Sequence, residues 1–126
     1  VGARNVSSAD IQVVKEVEIM LSITAIIIGL VAATAWQVLH AEDAKLTLAI
    51  LNHGGYEKNP LIGKHPTPNR LKKFMAGFAV AHGVLSAFCL CVPAAQLVFI
   101  PFTLVSLAAK TYVVVHNKKI LRQLGG

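Results

Sequence analysis

Residues 19–39 contain no Asp, Glu, Lys or Arg, and residues 74–92 contain none either. Residues 97–115 hold a single charge, Lys110. Each block is about as long as a helix needs to be to cross a bilayer, roughly 20 residues. A soluble helix is rarely apolar for so long on every side. The feature therefore constrains the chain to an all-α membrane protein with three transmembrane helices. Composition agrees: 55% of the 126 residues are hydrophobic and only 14% charged, too few to cover the surface of a soluble domain of this size. The net charge of +6 suggests an anionic surface as partner. No aromatic residues are interleaved with the basic ones, so the partner is the lipid bilayer and not nucleic acid.

The expected organisation is an amphipathic N-terminal segment at residues 1–18, then a first span at 19–39. An inner helix extension and loop follow at 40–73. A second span at 74–92, a third at 97–115 and a basic tail at 116–126 complete the chain. Ile11, Val14 and Val17 share one helical face in the first segment, next to serines suited to capping. The only break between the last two spans is around Pro93, which predicts a tight helical hairpin. Ala33 and Ala35 offer a signal-peptidase-like site, but the region before that apolar run is net negative, where a signal peptide is positive. The first block is therefore expected to stay in the protein. The chain opens at Val1 without methionine, so an upstream residue or segment is expected to have been removed.

Basic residues set the expected orientation. Lys45, Lys58, Lys64, Arg70, Lys72 and Lys73 lie between the first two spans, and Lys118, Lys119 and Arg122 lie in the tail. The hairpin turn has no charge. Three spans put both basic regions on one side, which predicts a membrane protein with its N-terminus outside and C-terminus in the cytoplasm. Lys110 is expected to snorkel to the headgroups, and Pro101 to kink the third span. Cys89 and Cys91 are two apart on a helix and point apart, which argues against a disulfide.

The stretch "GGYEKNPLIGKHPTPNR" is stiff and polar, between two apolar blocks. Gly54 and Gly55 stop the preceding helix, Pro60, Pro66 and Pro68 prevent a regular one, and Thr67–Pro68 reads as the start of the next. Asp43 and Thr47, four apart, share a helix face, with His40 on the same side. Then come Glu57, Asn59, Pro60, Gly63, His65 and Pro66. An asparagine before proline favours a turn and bonds nearby backbone. A glutamate two residues earlier accepts from loop amides, and Asp43 and Thr47 can hold the loop from the helix side. The reading expects a structured Pro/Gly-rich inner segment in which Asp43, Thr47, Glu57 and Asn59 converge.

This order, D-x3-T, then E-x-N-P-L-I-G, then P-T, resembles a pattern in small, uncharacterised helical membrane proteins of bacteria and their phages. The resemblance covers residues 40–75 and the helix arrangement. It implies a membrane fold, with a bacterial inner membrane as the expected location, and no activity. Ala44 stands where many of those proteins have a tryptophan, and the sole tryptophan, Trp36, lies upstream.

In the second span, Gly77 with Ala81 and Gly83 with Ala87 form small-x3-small pairs that allow close helix approach. His82 is expected to donate a hydrogen bond across that contact, with proton or cofactor work as the competing role. The leading function is a non-enzymatic membrane protein that assembles with itself or serves as an accessory subunit of a larger membrane or virion complex. Its topology is similar to that of one class of phage holin. The alternative is a small membrane enzyme or a metal- or haem-binding protein using Asp43, Glu57, His40, His53 and His65. No cofactor is expected under the first reading, and no compact Cys/His set or H-E-x-x-H supports the second.

Overall fold

A computed structural model describes residues 6–126. Arg4 and the first five residues of the expected N-terminal segment lie outside the described residues. The described chain is three helices: α1, Ser8–Asn52; α2, Pro68–Cys91; and α3, Pro93–Gln123. Each is long and apolar enough to cross a membrane.

Local chemistry explains the boundaries. Ser7 caps α1: its hydroxyl accepts from the amides of Ala9 (3.1 Å) and Asp10 (3.4 Å), and the Asp10 carboxylate accepts from the Ser7 amide (3.0 Å). Gly54, with φ at +83°, ends α1 in the left-handed conformation that a Cβ would disfavour. Thr67 caps α2 through the Arg70 amide (3.2 Å), with Pro68 in the first turn, where its missing N–H costs nothing. The α2–α3 turn is a single residue, Val92, whose φ of −112° and ψ of 108° are extended. Pro93 is the cause, because its ring excludes the α conformation from the residue before it. It also opens α3 at once, so the helix begins four residues before the hydropathy boundary at Leu97. Pro101 sits inside α3.

α1 packs most extensively on α3 and also on α2. At about 1.5 Å per residue its 45 residues reach about 67 Å, well beyond a hydrocarbon core of roughly 30 Å. The turn between α2 and α3 lies beside Leu21, Ser22 and Ala25. The start of α1 consequently runs past the other two helices, and residues 7–21 are all exposed.

The bundle is inside-out relative to a soluble one. Buried positions include His40, Asp43, Thr47, Ser86, Gln96 and Thr103, while Val31, Val84, Phe88 and Val105 stand in the open. Trp36, Leu71, Phe99 and Val114 supply the apolar part of the core. Gly29 admits Leu90 where a Cβ would collide with it. The expected small-residue contact takes a different course. Gly77, Ala81, Gly83 and Ala87 are all exposed, and a Cβ on Gly77 would meet nothing. The α2 face turned inward carries Met75, Ala79, His82, Ser86 and Leu90 instead. Of its polar groups His82 meets Gln37 of α1 and Ser86 bonds its own backbone, while small size also serves the α1–α2 contact, with Leu90 seated on Gly29 and Gly83 beside Gln37.

Candidate functional site

α3 presents a polar residue to the interior every seventh position: Gln96, Thr103, Lys110 and Asn117. Seven residues are nearly two helical turns, so the four side chains fall close to one line. Polar residues buried or half-buried on the other helices are Gln37, His40, Asp43 and Thr47 of α1 and His82 and Ser86 of α2. Together they form a polar file along the bundle axis.

Asp43 is the best-held group in it. Lys110 Nζ donates to Oδ2 at 2.8 Å and Asn117 Nδ2 donates to Oδ1 at 2.9 Å, so each carboxylate oxygen has a partner from α3. The Lys110 and Asp43 side chains are only 16% and 8% exposed. In so dry a setting an unpaired charge is prohibitive, and the pair with its extra amide donor satisfies both. Lys110 therefore does not snorkel to headgroups. It turns inward, with its ammonium 5.4 Å from the centre of the Trp36 ring.

Trp36 organises the next layer. The imidazole of His82 stacks on it at 3.8 Å between centroids, and that of His40 at 4.7 Å. Their tautomers follow from their partners. His40 Nε2 lies 2.9 Å from the Met75 carbonyl, which can only accept, so Nε2 carries the proton and Nδ1 a lone pair. Gln37 Nε2 donates to the Ala79 carbonyl at 2.9 Å and approaches His82 Nδ1 at 3.2 Å, so that Nδ1 accepts. His82 does bond across helices, but as the acceptor from Gln37 and not as the expected donor, because its Nδ1 faces an amide nitrogen. Farther along, the Ser86 hydroxyl donates to the His82 carbonyl at 2.7 Å, and Gln96 Nε2 to the Leu90 carbonyl at 2.7 Å. Among the described residues two buried side-chain atoms have no partner, His40 Nδ1 and Thr103 Oγ1, and both belong to the file.

Cavities flank the file. One of about 650 Å³ opens at the loop end, among His40, Asp43, Lys110, Asn117, Phe78 and Tyr112. The other, about 390 Å³, lies at the turn end beside Ser22 and Gln96.

The E-x-N-P stretch covers the loop end. Glu57 Oε1 accepts from the Asn59 amide (2.8 Å) and Asn59 Oδ1 from the Leu61 amide (3.0 Å). The Ile62 and Gly63 amides donate to the Asn59 carbonyl at 3.1 and 3.2 Å, and the Glu57 amide donates to the Lys64 carbonyl at 2.8 Å. Gly63 holds φ at +90°, a conformation reserved for glycine, and Ile62 is buried. Asp43, Thr47, Glu57 and Asn59 all line the larger cavity. Yet Asp43 and Glu57 share no hydrogen-bond partner, and neither is paired with Lys45 or Lys58. Pro60 and His65 are exposed, Pro66 is half-buried, and none of these three lines the cavity. His53 bonds back to the Ala49 carbonyl at 2.8 Å. Cys89 and Cys91 are free thiols. Among the described residues no three His, Cys, Asp or Glu side chains are grouped as a metal ion would require.

Sequence reading missed Gln37, Asn117 and the partnership of Lys110 with Asp43. The seven-residue polar spacing in α3 was the available signal. Comparison with family models, curated proteins and solved structures gives no match.

Proposed function

We propose that the chain is a small integral membrane protein without catalytic chemistry, which assembles with itself or as an accessory subunit of a larger membrane complex. The observation that carries this reading is the start of α1. Residues 7–18 are exposed throughout, and they combine Asp10, Lys15, Glu16 and Glu18 with exposed Ile11, Val13, Val14 and Val17. The charges keep this stretch out of hydrocarbon, and the branched apolar residues are poor helix formers alone in water. A neighbouring helix is the covering that suits both. Asp43 and Glu57, the acidic residues of the central motif, are engaged by structural bonds, which supports a scaffolding role for that motif. In this reading the E-x-N-P segment is a structured cap on the cytoplasmic side, and the N-terminus faces out.

The test is the mass of the protein in mild detergent, with co-purifying chains identified. A strictly monomeric particle without partners, unchanged by Val13→Lys or Val17→Lys, sinks the reading. A C-terminal reporter active on the outer side reverses the orientation. A holin-like role adds release of a trapped dye from vesicles. The second reading is a bound metal or haem using Asp43, Glu57, His40, His53 and His65, and absorbance and metal content of the purified protein decide it.

A further inference from the structure

We propose that the loop-end cavity is a binding site for one uncharged amphipathic molecule of the membrane, with an apolar body and a head of hydroxyl or carbonyl oxygens. This goes beyond assembly, and the site lies within one chain. Its volume of about 650 Å³ falls in the range of small-molecule pockets. Depth in the bilayer gives the ligand its two ends. The α3 wall runs from Lys110 to Ile120, which at 1.5 Å per residue is about 25 to 40 Å from Pro93 at the turn. On α2, Lys73 stands about 27 Å from Cys91. A hydrocarbon core of roughly 30 Å measured from the turn therefore ends inside the cavity. Any occupant has one part in hydrocarbon and the other at headgroup level. Phe78 of α2 and Tyr112 of α3 line the cavity and are also exposed, so it opens to lipid between the two helices in least contact.

The lining carries hydrogen-bonding capacity that the bundle leaves over. Asp43, Glu57 and Asn59 of the central motif have partners, but the Thr47 hydroxyl has none among the described residues. Thr47 is only 7% exposed. Its hydroxyl is nevertheless not one of the sealed atoms, which are His40 Nδ1 and Thr103 Oγ1, so its remaining opening is onto the cavity that the residue lines. A hydroxyl held there without a partner is costly, and an oxygen or hydroxyl of a ligand removes the cost. On the facing helix, Lys110 spends one of its three protons on Asp43, and Asn117 spends only its amide nitrogen. Ammonium donors and the Asn117 Oδ1 acceptor are left over. Donor and acceptor together suit an alcohol or a carbonyl group. Charge then narrows the class. The carboxylates of the lining, Asp43 and Glu57, are matched by the ammonium groups of Lys58 and Lys110. The wall therefore carries no formal net charge to attract an anionic or a cationic head. Phe74, Met75, Phe78 and Val113 supply the apolar side.

The test adds one probe at a time to the purified whole protein in mild detergent and reads retained mass by native mass spectrometry. The probes are dioleoylglycerol, decylubiquinone and, as the charged control, dioleoylphosphatidylglycerol. The first two share the uncharged oxygen head and differ in source, a glyceride or a lipoquinone, and the better retained of them names it. The third has the acyl chains of the first and a charged phosphate in its head. The expected result is one molecule of an uncharged probe per chain, saturating, and retained several-fold better than the phosphatidylglycerol. Thr47→Val removes the hydroxyl at nearly constant shape and should lower retention several-fold. Val113→Trp fills the cavity from α3 and should abolish retention. It serves if Thr47→Val does not fold, as judged by circular dichroism and gel filtration. Failure to retain either uncharged probe overturns the proposal. So does equal retention of the charged lipid, parental retention in both folded variants, or a co-purifying haem or metal ion that the probes cannot displace. A monomeric protein that retains the probe sinks the assembly reading and leaves this one standing.

Discussion

Asp43 and Glu57 are both carboxylates and both line the loop-end cavity, yet they belong to different kinds of structure. Asp43 is held by Lys110 and Asn117, which lie 67 and 74 residues away, so its bonds tie α1 to α3. Glu57 is held by the amide two residues on, so its bond shapes only its own turn. The first carboxylate is a tertiary clasp and the second a local brace. Charge near a membrane therefore says little until its partner is known. A burial of 8% exposed with two donors and a half-buried place beside a backbone amide carry different penalties for loss.

That contrast can be broken by mutation. Asp43→Ala leaves the Lys110 charge buried and unpaired, and should cost about 3–5 kcal/mol in denaturant titration from mixed micelles. Replacing Asp43 and Lys110 together by leucine should restore most of that loss. If the double variant is no better than the single, the ion pair is not the clasp. Next in size, His82→Leu removes the acceptor for Gln37 and should cost about 0.6–2 kcal/mol of helix association, whereas His82→Gln stays close to the parent in stability. A loss of Gln equal to that of Leu would show that packing on Trp36, and not the hydrogen bond, holds the layer.

The loop variants should be smaller and confined. Gly63→Ala forces a Cβ into a left-handed backbone, which costs about 1 kcal/mol. It should speed proteolysis between α1 and α2 while leaving the helices intact, as should Asn59→Ala. Glu57→Gln keeps an oxygen for the Asn59 amide and should change stability by less than about 0.5 kcal/mol. A Glu57→Gln effect as large as that of Asp43→Ala would erase the distinction between clasp and brace. The smallest change belongs to Lys118→Ala. Its 3.5 Å pair with Glu42 has both side chains more than a third exposed, and water and salt screen it to nothing measurable.

The three helices were legible in sequence because uncharged blocks of such length have few alternatives. The breaks at Gly54–Gly55, Thr67–Pro68 and Pro93 were legible from backbone chemistry alone. Which face of each helix points inward was not. The small-residue rule for membrane helices directed attention to Gly77 and Gly83, but the inward face of α2 is the one with His82 and Ser86. In an apolar solvent the polar residues mark the core, and reading α3 in steps of seven from Gln96 would have exposed it. The pairing of Lys110 with Asp43 is a different case. It joins residues from separate helices, and no local spacing in one chain encodes that.

Trp36 is the sole tryptophan, and it lies against two imidazoles at the centre of the bundle. The consequence is optical. Ring-to-ring contact with imidazole drains the excited indole without emission, so the folded protein should be dim for a protein with a buried tryptophan. Parting α1 from α2 removes His82, while His40 leaves only when α1 itself unwinds, and fluorescence should rise as structure is lost, the reverse of the usual red-shifted dimming. The chain thus carries its own reporter, at a place where α1, α2 and the ammonium of α3 meet.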